Sequence, residues 1–362
     1  MTAENYRLRE LDFLRGIAIL LVLCWHTHFF PVISPIGWIG VDLFFVLSGF
    51  LVSGLLFREY LAFGNIQPGR FLIRRGFKIY PLYYLSYIIY LIQLVRHRPF
   101  EWIYFLGDMF FVQNYVLGWG YAMGASWSLA VEEHFYLVLV FVAWLLFNFK
   151  RKKQPCRKHP VNPAVVLYLV MALCLVCRIV VNLAFPNNIT AHHTNTHLRM
   201  DSLLAGVLVS YWYHFKRDLL EKNMSAIKRA TLPVCLLCLS FTPFIDYTNS
   251  FFVRTFGYCL LYTCFSTLLI VFLFTKDINA RLNRLFSKMV VTMISKIGVH
   301  SYAIYIIHTA IIRRIWYTTS LNPYVGMFLF FAVSMLAGKL MSDYIERYFL
   351  RLRDKYYPKR SQ

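Results

Sequence analysis

The chain has 362 residues, of which 59% are hydrophobic and 18% aromatic, with a mean hydropathy of +0.53 and a formal net charge of +21. A soluble domain is about 45–50% apolar, so this composition excludes an ordinary water-soluble globule and specifies an all-α, polytopic membrane protein. The positive charge alone would suit nucleic acid, but its placement beside apolar segments marks membrane topology and excludes that partner.

Ten apolar stretches can be drawn as crossings, at 11–29, 38–57, 79–95, 127–149, 164–185, 202–215, 232–245, 251–275, 297–317 and 324–344. With the N-terminus inside, alternate connections hold most of the 38 basic residues, including Arg7 and Arg9, Arg70 to Lys78, Lys150 to Lys158, Lys216 to Arg229, Lys276 to Lys296 and Arg347 to Arg360. That bias predicts ten spans with both termini in the cytoplasm; shifting the frame by one helix would put most of these charges outside.

The first stretch carries Arg15 and His26. Eleven positions at ~100° each return to within about 20°, so both side chains leave one helical face, about 16 Å apart along the axis. Asp12 falls about 40° from His26, close to the same stripe. Ionisable groups on one face inside a membrane mark a functional cavity; the alternative is that both residues snorkel to opposite surfaces. This stretch follows a short charged N-terminus, yet Cys24-Trp25-His26-Thr27 is no small-residue cleavage site, so it reads as an uncleaved span.

In the second stretch, Ser48-Gly49 is a small-residue kink where backbone can approach a ligand, or a site of close helix packing. At the entry to the third, Arg74, Arg75 and Lys78 concentrate three cations in five positions, suited to a phosphorylated ligand or to anionic headgroups. The fourth opens with Glu132 and Glu133 at the expected depth of His26. They point about 100° apart, so at most one faces the imidazole. A carboxylate there would fix the ring's tautomer and stabilise the imidazolium, as a general base requires; the alternative is complementation of the helix dipole.

Cys174/Cys177 and Cys235/Cys238 lie inside apolar stretches, where three-residue spacing serves packing. The loop with His192, His193 and His197 lacks the spacing of a helical zinc pair and reads as a polar loop near an acceptor site. His308 falls near mid-membrane in the ninth stretch, lining a tunnel or serving as a hydrogen-bonded structural histidine.

In order along the chain, these blocks resemble the acyltransferase-3 family of integral-membrane O-acyltransferases. The resemblance rests on Arg15-Gly16-Ile17-Ala18 followed by His26, the GVDLFFVLSGF run at 40–50, and the arginines with Tyr80-Pro81. It continues through Trp127-Ser128-Leu129 with Glu132-Glu133, Arg199-Met200-Asp201, and Ser301-Tyr302 with Tyr305 and His308, ending near Tyr344 and Glu346. Lys78 stands where many members carry Arg, and lysine cannot make the same bidentate phosphate contact.

The resemblance implies transfer of an acyl group, usually acetyl from acetyl-CoA, to a hydroxyl of a sugar or cell-surface polysaccharide. It implies no permanently bound cofactor, no metal, and residence in the cell membrane, the inner membrane if the source is bacterial. Acyl-CoA, a carbohydrate or lipid-linked carbohydrate acceptor and membrane lipid are the implied partners. His26, Glu132 and Glu133 would be catalytic; Arg15, Ser48, Arg74, Arg75, Lys78 and Tyr80 would hold the donor; Asp42, Trp127, Ser128, Arg199, Asp201 and His308 would hold the acceptor. His26 would act as general base or carry the acyl group transiently, and Arg15 would bind polar donor groups or the developing oxyanion. The expected organisation is a transmembrane acyltransferase domain at 1–346 and a basic cytoplasmic tail at 347–362, the form without a fused hydrolase-like domain. A transporter or flippase of an anionic or lipid-linked substrate is the competing reading, since ten spans and buried charges would serve it too.

Overall fold

A computed structural model describes residues 8–27, 29–148, 162–318 and 322–360. The basic linker expected from Lys150 to Lys158 lies outside these residues, as does Arg7. The described residues form helices joined by short turns: α1 Arg9–Thr27, α2 Ile39–Phe63, α3 Pro68–Val95, α4 Trp102–Met109, α5 Gln113–Val116, α6 Trp127–Asn148, α7 Pro163–Ala184 and α8 Ile189–Thr194. Then follow α9 Thr196–Phe215, α10 Arg217–Leu239, α11 Tyr258–Phe274, α12 Ile278–Phe286, α13 Lys288–Val299, α14 Ser301–Thr318, α15 Pro323–Leu340 and α16 Arg347–Tyr356.

Local chemistry sets several of these boundaries. Pro68, Pro163 and Pro323 open α3, α7 and α15, where a missing N–H leaves no bond unmade. The Asn162 and Asn322 side chains accept from the Ala164 and Tyr324 amides and cap α7 and α15. Gly64, at φ +66°, ends α2 in the left-handed conformation and turns the chain into α3.

Five helical segments are long and apolar enough to cross a membrane: Ile39–Phe63, Gly124–Phe147, Pro163–Ala184, Val253–Phe274 and Pro323–Tyr356. A sixth is formed if the pair Lys288–Val299 and Ser301–Ile315, bent by 79°, counts as one span. The protein is therefore an integral-membrane helical bundle. The ninth stretch, expected as one helix over 297–317, instead breaks at His300, so α13 and α14 diverge. The last apolar helix continues past residue 344 through a π-helical turn, Met341–Glu346, into α16.

The core is built around α2, of whose apolar window 72% is buried, against 22% for α7 at the lipid-facing edge. α2 and α9 pack with their backbones in close approach. A Cβ on Gly49 would overlap the Leu203 carbonyl, and one on Gly206 the Val46 carbonyl. Gly49 thus serves helix packing, through a small-residue contact of the kind that lets membrane helices associate closely, while its neighbour Ser48 faces a cavity.

Candidate active site

Two neighbouring cavities among the described residues hold most of the expected site residues. The first, of about 130 Å³, is lined by Arg15, Ser48, Arg75, Lys78, Ser128 and Glu132, with Tyr136, Tyr302 and Tyr305. The second, of about 320 Å³, is lined by His26, Trp127 and Arg199 with Trp25, Trp38, Trp119, His193, Tyr247, Tyr258 and Arg313. Val41 and Tyr305 line both, so the Arg15 cavity and the His26 cavity are neighbours that share these two side chains in the wall between them. Arg15 and His26 on α1 each reach a cavity, in keeping with the shared face expected from their spacing.

The Arg15 cavity carries a connected polar network. The Tyr136 hydroxyl donates to Glu132 Oε2 at 2.7 Å, Arg75 Nη2 donates to the Tyr136 oxygen at 2.9 Å, and the Ser48 hydroxyl lies 2.7 Å from the same oxygen. The Arg75 guanidinium also sits 4.7 Å from the Tyr136 ring centroid. Lys78 Nζ pairs with Glu346 from the π-helical turn and stands 5.9 Å from the Tyr302 ring. The Ser128 hydroxyl and the Tyr305 hydroxyl are 2.7 Å apart, tying the dividing wall to α6.

In the His26 cavity, His26 Nδ1 lies 2.9 Å from the Val22 carbonyl oxygen. A carbonyl only accepts, so Nδ1 carries a proton, and in the neutral ring Nε2 is the acceptor nitrogen. The ring meets His308 edge-on at 4.7 Å between centroids. His308 is fully buried, and its own Nδ1 donates to the Tyr305 carbonyl at 2.5 Å. The aromatic walls offer flat apolar faces with polar edges, a surface suited to the C–H face of a sugar ring.

Behind this wall lie two buried ion pairs. Arg199 Nη2 bonds Asp42 at 3.0 and 3.1 Å, Ser202 Oγ donates to the same carboxylate, and the guanidinium packs 3.7 Å over the Tyr258 ring. Asp201 pairs with Arg178 at 2.7 Å. Asp42 and Asp201 are thus committed to arginines, and removing one partner of such a pair costs about 3–5 kcal/mol.

The other expected site residues are dispersed. Glu133 accepts from the Tyr80 hydroxyl at 2.9 Å, and neither residue lines the Arg15 or the His26 cavity. The glutamates, expected beside His26, bond Tyr80 and Tyr136 instead, because the helical register of α6 turns Glu132 into the Arg15 cavity. Arg74 leaves the site altogether, bonding Asp354 at 3.0 Å and the Tyr357 carbonyl in the C-terminal segment.

Sequence reasoning missed several contributors. Tyr136 is the hub of the Arg15 network, and nothing in its spacing distinguishes it from a core aromatic. Arg178, 1% exposed in an apolar helix, carried a readable signal: a lone charge inside an apolar stretch needs a partner. Asp108 is buried and accepts from the Tyr121 and Ala122 amides, which fixes the loop leading to Trp127. Burial pushes its carboxyl up to about 6 despite those amide donors. His193 was not missed: it belongs to the loop expected near an acceptor site, and it bonds the Tyr258 hydroxyl at 2.7 Å inside the His26 cavity, where burial, with Arg199 nearby, lowers its pKa to about 3. His192 and His197 instead meet the Phe185 carbonyl and the Tyr115 hydroxyl. Among the described residues no cluster of three histidine, cysteine or acidic side chains is arranged to hold a metal ion.

A sequence model of an acyltransferase domain, that of the acyltransferase-3 family, matches residues 8–342. The chain is 26% identical over 326 residues to the peptidoglycan O-acetyltransferase OatA of Listeria monocytogenes, covering 84% of this chain and 49% of that protein. It is 25% identical over 366 residues to a putative O-acetyltransferase of Staphylococcus aureus, covering 93% and 56%. It is also 27% identical over 230 residues to the O-acetyltransferase OatA of the same species, covering 59% and 36%. The chain thus spans about half the length of the first of these relatives. Comparison with solved structures returns no match.

Proposed function

The chain belongs to the acyltransferase-3 family, and from that premise we propose that it is a membrane O-acetyltransferase that moves an acetyl group from cytoplasmic acetyl-CoA to a hydroxyl of a carbohydrate acceptor. The observation that carries this reading is the pair of cavities sharing only Val41 and Tyr305. A cationic chamber suits the donor and an aromatic chamber suits the acceptor, so the thioester and the hydroxyl meet at the wall between them.

In this account Arg75, Lys78 and Arg15 bind the polar and anionic groups of the donor. His26, with its proton held on Nδ1 by the Val22 carbonyl, takes the acceptor hydroxyl's proton on Nε2. The alkoxide attacks the thioester carbonyl, and the thiolate leaves and recovers the proton from the imidazolium. The products are an ester and free thiol, so no atom is left over. Ten crossings with both termini in the cytoplasm accompany this account, supported by the charge bias of the connections.

His26→Ala tests the assignment. Protein that expresses, inserts and unfolds like wild type in detergent should lose about 10²–10⁴-fold in acetyl transfer from radiolabelled acetyl-CoA. Near-normal turnover in that protein would remove His26 from the chemistry.

A further inference from the structure

The His26 cavity is lined by two arginines that the proposed transfer step does not use. Arg199 and Arg313 both line it, and no carboxylate is among its lining residues. Arg199 is balanced by Asp42 behind the wall. Arg313 is an exposed residue with no acidic partner among the described residues, and its Nη1 donates a long bond of 3.4 Å to the Ala122 carbonyl. That carbonyl belongs to the loop pinned by Asp108, so the guanidinium is oriented without being neutralised.

Two polar atoms of this cavity's other lining residues are buried without a hydrogen-bond partner: Arg199 Nε and His193 Nε2, on residues each 3% exposed. Polar groups removed from water are normally satisfied, and a cation beside aromatic walls favours an anion over a neutral ligand. Resting on the carbohydrate-acceptor reading above, we propose that the acceptor is an acidic sugar, whose carboxylate or phosphate Arg313 binds while an aromatic wall holds the ring and a hydroxyl meets His26. Arg313 then sets specificity for charge and takes no part in the chemistry.

The test uses the full chain in phosphatidylcholine nanodiscs with methyl glucoside, methyl glucuronide and glucose 1-phosphate as probes. Binding is read from tryptophan fluorescence, since Trp25, Trp38, Trp119 and Trp127 line the cavity, and acetyl transfer is measured in parallel. Wild type should bind an acidic probe at least about tenfold more tightly than the neutral one. Arg313→Gln should abolish that preference with neutral binding unchanged, and Arg313→Lys should restore part of it. Stronger response to the glucuronide or to the phosphate identifies the acid group.

Equal binding of all three probes by wild type, or equal loss of neutral and acidic binding in Arg313→Gln, would overturn the proposal. So would a requirement for anionic lipid before Arg313→Gln has any effect, which would assign the residue to headgroups. Acid-selective binding without transfer would support the inference and count against the acyltransferase reading; transfer without charge preference would do the reverse.

Discussion

Arg74 and Arg75 are neighbours in sequence and opposites in role. Arg75 enters the Arg15 cavity and bonds Tyr136, whereas Arg74 holds Asp354 and the Tyr357 carbonyl. Sequence grouped them because a cluster of cations at a helix entry looks alike from either side. On the α3 helix they point about 100° apart, and only the packed bundle reveals which faces inward. Arg75→Ala should therefore raise the acetyl-CoA concentration for half-maximal rate about tenfold or more, while Arg74→Ala changes it little. Initial rates against donor concentration check this, and equal effects of the two variants would contradict it. His26 and Arg15 were legible for the opposite reason: a titratable group inside an apolar stretch has few ways of being satisfied. The partner was not legible, since His308 meets His26 from a helix some 280 positions away by the numbering, with no local signal linking them.

At the scale of elements, the apolar stretches were readable because a membrane-facing helix needs little beyond length and hydropathy. The stretches that structure the site are less apolar. α1, α3 and α9 carry Arg15, His26, Arg75, Lys78 and Arg199, which line the cavities, so composition describes them less well than it describes α7. The 79° break at His300 was likewise hidden, because no proline or glycine stands at the break itself. Close packing of α2 on α9 is what brings Ser48 and Arg199 to neighbouring cavities, and it depends on Gly49 and Gly206. Gly206→Ala would push a Cβ into the Val46 carbonyl, an overlap with backbone that costs about 1–3 kcal/mol or more. Gly69→Ala meets no atom within 4 Å and serves as the control. Thermal unfolding in detergent should show a clearly lowered midpoint for Gly206→Ala only; equal midpoints would mean that α2 and α9 can separate without loss.

For the whole molecule, the proposed mechanism divides the reaction between the two cavities: the donor enters the one lined by Arg15, Arg75 and Lys78, the acceptor the one with aromatic walls, and Val41 and Tyr305 line both. The C-terminal segment braces the start of α3. Besides the Arg74 contacts, Arg70 bonds the Pro358 carbonyl, and Arg360 bonds Asn65 and packs 4.1 Å over the Phe63 ring. A basic tail was legible as charge; its docking on the turn between α2 and α3 was not, because the partners lie almost the length of the chain away. Inverted membrane vesicles put the central claim to its most direct test, with radiolabelled acetyl-CoA outside and a carbohydrate acceptor enclosed in the lumen. The account predicts acetylated acceptor inside vesicles bearing wild-type protein and none inside those bearing His26→Ala, with intact acetyl-CoA remaining outside. Unmodified solute crossing the membrane with no dependence on acetyl-CoA would contradict it and favour a transporter.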